Sequence, residues 1–164
     1  MRRWHRGSLF LSRPDRSPCK GVLDGGTQIG GADVAEFISG SSFLNPGDVV
    51  EIDTDHPGKF RLSSRPNSSA VAGVISTDPG VSMNAPGAES QTMTGPQLAL
   101  AGQVPVKATI EGGPISAGDL LVSASTPGHA MRAPDAPLPG TIIGKALDSL
   151  TASQGVIEML VMLR

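Results

Sequence analysis

The chain has 164 residues, of which 35 are glycine or proline, and that share of turn formers excludes an architecture of long helices. Aromatic residues make up 3% and tyrosine is absent, so the core is built from Val, Ile, Leu, Ala and Met, and little surface remains for stacking bases or sugars. The net charge of −2 conceals a division: the first twenty residues carry +5, and the remaining 144 carry −7.

Residues 1–28 read as a solvated, poorly ordered arm, because Arg2, Arg3, Arg6, Arg13, Arg16 and Lys20 follow no helical period and prolines interrupt them. Nucleic acid is a weak candidate partner for this arm, since the body behind it is acidic. Leu9–Leu11 is too short for the apolar centre of a signal peptide, and no stretch approaches membrane-spanning length. Cys19 stands alone, so it supports neither a disulfide nor a metal site within one chain.

The body, residues 29–164, reads as one mostly β domain. Ile29–Phe37 is compatible with a short strand or a single helical turn. After the turn Asn45-Pro46-Gly47, Asp48–Asp53 alternates as a strand does, and His56-Pro57-Gly58 turns it back into Lys59–Leu62. A polar linker over Ser63–Ser69 leads to the apolar strand Ala70–Ile75. Residues 78–96 lack apolar periodicity and read as a long exposed loop. Leu98–Ala101 and Val104–Ile110 follow as strands, with Pro105 marking an edge or a bulge. Asp119–Val122, the turn Thr126-Pro127-Gly128 and His129–Arg132 form a second hairpin. Beyond the proline-rich loop Ala133–Pro139, Thr141–Leu147 and Val156–Leu163 are the last strands. The final one, apolar at nearly every position, is either covered on both faces or turned toward another subunit.

Two stretches repeat one another, residues 44–76 and 115–147. Gly47-Asp48 corresponds to Gly118-Asp119, Pro57-Gly58 to Pro127-Gly128, and Gly73 to Gly144, with a one-residue slip at the Pro-Gly turn. Three turn signals in one order, each followed by an apolar run, indicate an internal duplication. Each unit is a hairpin plus a third strand, too small to bury its own apolar face, so two copies together predict a compact β-barrel or β-clip-like body.

The segments GGADVAEF, PGDVVEID, VAGVISTDPG, LALAGQVPVKA, ISAGDLLVSASTPGHAM and IIGKAL resemble a C-terminal β-rich module of bacterial surface or fibre-like proteins. More distantly, they are similar to the self-processing intramolecular-chaperone domain of phage neck-appendage proteins. The resemblance covers roughly residues 30–164 and implies a homotrimer that ends a fibre or surface appendage and assists its folding. It also implies an acidic pair for self-cleavage, which falls here on Asp33 and Glu36 of Ala32-Asp33-Val34-Ala35-Glu36, with Val34 where the family carries an aromatic residue. Neighbouring carboxyls can divide acid and base roles. Three residues apart, however, they share a face only on a helix.

The remaining polar residues have plainer readings. Asp48 and Asp119, each after a turn glycine, are expected to accept bonds from nearby backbone amides. Glu51, Asp53 and Asp55 share one strand face by their spacing of two and read as a solvated face, not a calcium loop. His5, His56 and His129 are far apart and read as exposed, and no spacing suggests zinc. No nucleophile elbow and no phosphate-binding glycine loop is present, so neither a cofactor nor a small-molecule substrate is expected. The sequence therefore predicts a non-enzymatic assembly module on a virion or cell-surface appendage. A self-processing peptidase and a capsid-decorating protein are the alternatives.

Overall fold

The computed structural model describes residues 31–84 and 95–162. The basic segment 1–28, and with it Cys19 and His5, lies outside the described residues. The strands are β1 (Asp33–Phe37), β2 (Val49–Ile52), β3 (Phe60–Leu62), β4 (Val71–Val74), β5 (Val81–Met83), β6 (Gln97–Thr109), β7 (Leu120–Ser123), β8 (Ala130–Arg132), β9 (Ile142–Ala146) and β10 (Gln154–Val161). A 3-10 turn, Ile110–Gly112, follows β6. The fold is mostly β, as the turn-rich sequence predicts.

The duplication persists in the pairing of the strands. In the first copy β2 lies between β3 and β4; in the second, β7 lies between β8 and β9. Val50 opposes Leu62 and Gly73, and Leu121 opposes Arg132 and Gly144. Each central strand slips register at the same point, between Val50 and Glu51 and between Leu121 and Val122. A bulge at equivalent positions bends both strands in one sense and helps the sheets curl.

The repeated unit is larger than residues 44–76 and 115–147. In the second copy β6, β8, β7, β9 and β10 form a five-stranded barrel, closed where β10 pairs with β6 from Thr109 to Gln103. In the first copy the corresponding ring runs from β6 to β1, β3, β2 and β4. Single bridges, Gly40–Phe60 and Ile75–Leu98, complete it. The N-terminal half of β6, paired with β1, is thus the last strand of the first ring. Its C-terminal half, paired with β10 and touching β8 at Ala108–Ala130, is the first strand of the second. The chain holds two similar five-stranded rings joined through one long strand.

Each ring has its own apolar filling at matching positions. Leu44, Val50, Ile75 and Leu98 are buried in the first. Ile115, Leu121, Ala146 and Met159 are buried in the second. Full burial of each Val, Leu, Ile or Met side chain among them is worth about 1.5–3 kcal/mol. Val49 and Val74 leave the first ring to pack into the second ring's cluster, so the rings form a continuous body.

One expectation needs correction. Val81–Met83, inside the stretch read as a loop, is strand β5, parallel to β1, because β1 offers it backbone partners along Val34–Glu36. Residues 85–94 lie outside the described residues. Pro105 sits within a long strand opposite Glu158; the other side of β6 there meets the Gly47 turn, whose carbonyl accepts the Lys107 amide at 2.9 Å. The final strand is flanked by β6 and β9 but covered on one face only. Ile157, Met159 and Val161 point inward, while Val156 is 64% exposed and Leu160 37%.

Candidate functional site

The densest group of charged side chains lies on the outer side of the first ring. Glu51 of β2 is fully buried, and each of its carboxylate oxygens has a donor. Arg61 Nε of β3 donates to Oε1 at 3.0 Å, and the Ser68 hydroxyl donates to Oε2 at 2.9 Å, with Arg65 Nη2 a further 3.9 Å from Oε1. Two residues on, Asp53 is 3% exposed. Its Oδ2 accepts the Ser41 hydroxyl and meets His56 Nδ1 at 2.9 Å, and its Oδ1 accepts the Asp55 amide at 3.0 Å. Arg61 Nη1 bridges to Asp53 at 3.5 Å and to Asp55 at 3.2 Å.

The spacing of two does place Glu51 and Asp53 on one face, but that face is covered, so its reading as a solvated surface is corrected. The 63–69 linker and the Ser41 segment fold over it, and burial is tolerable because donors surround both carboxylates. The Ser41 hydroxyl, with help from His56 and the Asp55 amide, holds the Asp53 carboxyl far below its usual range against the opposing effect of burial. Glu51, acting by hydrogen bond and then by charge, raises the Arg61 guanidinium. The carboxylates therefore serve as acceptors that fasten loops to the barrel.

In the second ring the same backbone positions are apolar. Glu51, Asp53, Arg61 and Ser63 correspond to Val122, Ala124, Met131 and Ala133, which form a buried cluster of their own. The turn after β7 is instead fastened by Glu111, whose two oxygens accept the amides and hydroxyls of Ser125 and Thr126. Partial burial pushes this carboxyl up, but the four donors outweigh it and bring it to about 2.

Asp48 and Asp119 carry out the capping role expected of them. Asp48 Oδ2 accepts the Asn45 amide at 2.7 Å, and Asp119 Oδ2 accepts the Ser116 amide at 2.8 Å. The turn glycines beside them, Gly47 at φ 80° and Gly118 at φ 95°, occupy backbone conformations that favour glycine. Asp48 also reaches across to a neighbouring strand, where its Oδ1 meets Lys107 Nζ at 2.5 Å and so ties the first ring to β6. We expect Asp119→Ala to lower stability by about 1 kcal/mol and Asp48→Ala by about 2 kcal/mol, since the latter also removes a charge-assisted bond. Chemical denaturation of the two variants checks this; equal losses would refute the added role of Lys107.

Asp33 and Glu36, the acidic pair implied by the resemblance, both lie on β1, with a bulge between Val34 and Ala35. Among the described residues no hydrogen bond joins them. Asp33 is 7% exposed and its Oδ2 has no hydrogen-bond partner; Glu36 is half-buried opposite Leu98 and Met83. Burial raises the Asp33 carboxyl, the nearby Ser76 hydroxyl and the residue's own backbone offset this in part, and Asp78 adds to the rise. Burial also raises Glu158, with Asp148 and then Asp33 contributing by charge. Asp33 thus keeps company with Asp78 and Glu158, a neighbourhood that sequence spacing does not disclose.

His56 is engaged with Asp53, and His129 Nδ1 lies 2.8 Å from the Pro127 carbonyl. Among the described residues no group of three or more His, Cys, Asp or Glu is arranged to hold a metal ion. No described helix is long and apolar enough to cross a membrane. A scan against models of known protein families finds no match to the chain, and a search of curated proteins finds none.

Proposed function

We propose that the chain is a non-enzymatic assembly module, acting as a homotrimer at the end of a fibre or surface appendage and assisting its folding. The observation that carries this reading is the outward face of the second ring. Val156 and Leu160 stand exposed on β10, and Leu147 lies beside them on the adjoining stretch, 39% exposed. Burying that row between copies would remove apolar surface from water. The charged cluster of the first ring supports the same reading, since its carboxylates already have donors and act to hold loops in place. The resemblance to fibre-end modules supplies the trimeric state and the location.

Native mass spectrometry of the full chain tests the proposal. We expect an intact trimer, and Val156→Glu with Leu160→Glu should shift it to monomer while leaving the circular dichroism spectrum unchanged. A wild-type monomer at high concentration would overturn the reading. A self-processing peptidase is the second reading, favoured by the buried Asp33 carboxyl, which burial raises above its usual range. It requires a cut at one defined bond that Asp33→Asn abolishes, so a full-length mass that stays constant on incubation removes it.

A further inference from the structure

The outward face of the β10–β9 pair carries two charges that its own chain leaves unmatched. On β10, Val156, Glu158 and Leu160 alternate outward, while Ile157, Met159 and Val161 point into the ring. Along β9 and just beyond it, Lys145 and Leu147 stand exposed on either side of the buried Ala146. Lys145 lies opposite Leu160, and the Leu147 amide donates to the Glu158 carbonyl at 2.8 Å, which sets Leu147 opposite Glu158. These side chains form a checkerboard, with the cation and the anion on one diagonal and the leucines on the other. Neither Lys145 nor Glu158 takes part in an ion pair among the described residues, whereas Lys107 on the neighbouring β6 is held by Asp48. Covering a carboxylate set among apolar side chains is costly unless the covering surface brings a cation.

A closed trimer is built from heterologous contacts, in which one surface of each copy meets a different surface of the next. The β9 and β10 columns are suited to such a contact, since they are adjacent, partly apolar and opposite in charge. We propose that Lys145 and Leu147 of one copy seat on the Glu158 and Leu160 column of the next, each Lys145 ammonium neutralising the neighbouring copy's Glu158 carboxylate. The pairing rests on the trimer proposed above and assigns its contact. Two β10 columns meeting would set Glu158 against Glu158, and two β9 columns Lys145 against Lys145, so the charges select β9 against β10.

Sedimentation velocity of full-length wild type, K145E, E158K and K145E/E158K tests the pairing. Each single reversal places like charges together and should raise the concentration needed for half-assembly at least about tenfold. The double reversal restores opposite charges and should return that concentration to within about threefold of wild type. A wild-type monomer would overturn the trimer and the pairing with it. A wild-type trimer that both single reversals leave intact would overturn the pairing alone, as would a double reversal no better than the singles. A second measurement needs no variant: isotope-labelled and unlabelled wild type are diluted to monomer, mixed, reconcentrated and cross-linked with a zero-length carbodiimide. A Lys145–Glu158 linkage joining a labelled to an unlabelled peptide is expected, and its absence from reassembled mixed trimers would overturn the contact.

Discussion

Arg61→Met is expected to destabilise the protein by about 3–5 kcal/mol, because it leaves the Glu51 carboxylate buried without its main cation. Glu51 is fully enclosed, and after the substitution it retains the Ser68 hydroxyl and a 3.9 Å approach from Arg65. Neither repays the desolvation of an ionised group. Glu51→Val should cost less, since the Arg61 side chain is 31% exposed and can turn to water. The double variant Glu51→Val/Arg61→Met installs the residues that the second ring carries at these positions, Val122 and Met131. It should recover most of the loss, to within about 1.5 kcal/mol of wild type, as apolar replacements of buried ion pairs often do. Urea unfolding of the four proteins gives the coupling directly. If Arg61→Met alone unfolded at the wild-type midpoint, the cluster would have no structural weight.

The second large effect belongs to Gly144. A Cβ built there would lie under 3 Å from both the Leu160 carbonyl oxygen and the Met159 side chain. The oxygen belongs to the backbone of β10, which is fixed by its ladder to β6, so the strand cannot withdraw without opening the barrel. We expect Gly144→Ala to cost about 3 kcal/mol and to lower the melting temperature by several degrees. Gly118→Ala is the control. Nothing lies within 4 Å of its Cβ, so only the positive φ is penalised, at about 1–2 kcal/mol. Equal losses at the two sites would mean that crowding at the β9–β10 seam contributes nothing.

Comparing the copies shows what could be read from the sequence and what could not. The Gly-Asp and Pro-Gly turns and the paired glycines 73 and 144 mark the central three strands of each unit, because turns depend on local residue chemistry. The outer strands carry no such marks. Glu36 of β1 corresponds to Val104 of β6, and Leu98 corresponds to Met159, so neither pair shares a residue, and the long stretch between β4 and β6 shifts the spacing. Strand β5 was hidden for a different reason: three residues after Pro79-Gly80 owe their strand character to β1, not to themselves. The burial of Glu51 and Asp53 did leave a trace. Aligned copies set them against Val122 and Ala124, both apolar, which marks the positions as interior whatever their charge. The company kept by Asp33 left none, since Asp78 and Glu158 reach it through folding alone.

One consequence concerns how the molecule comes apart. Strand β6 contributes its first half to one ring and its second half to the other, without a break at Gly102-Gln103. Melting either ring strips partners from the strand that completes its neighbour, while Val49 and Val74 carry part of one ring's packing into the other. The two copies therefore cannot act as separate foldons: the duplication that doubled the sequence has left a single cooperative unit, which is lost or kept as a whole.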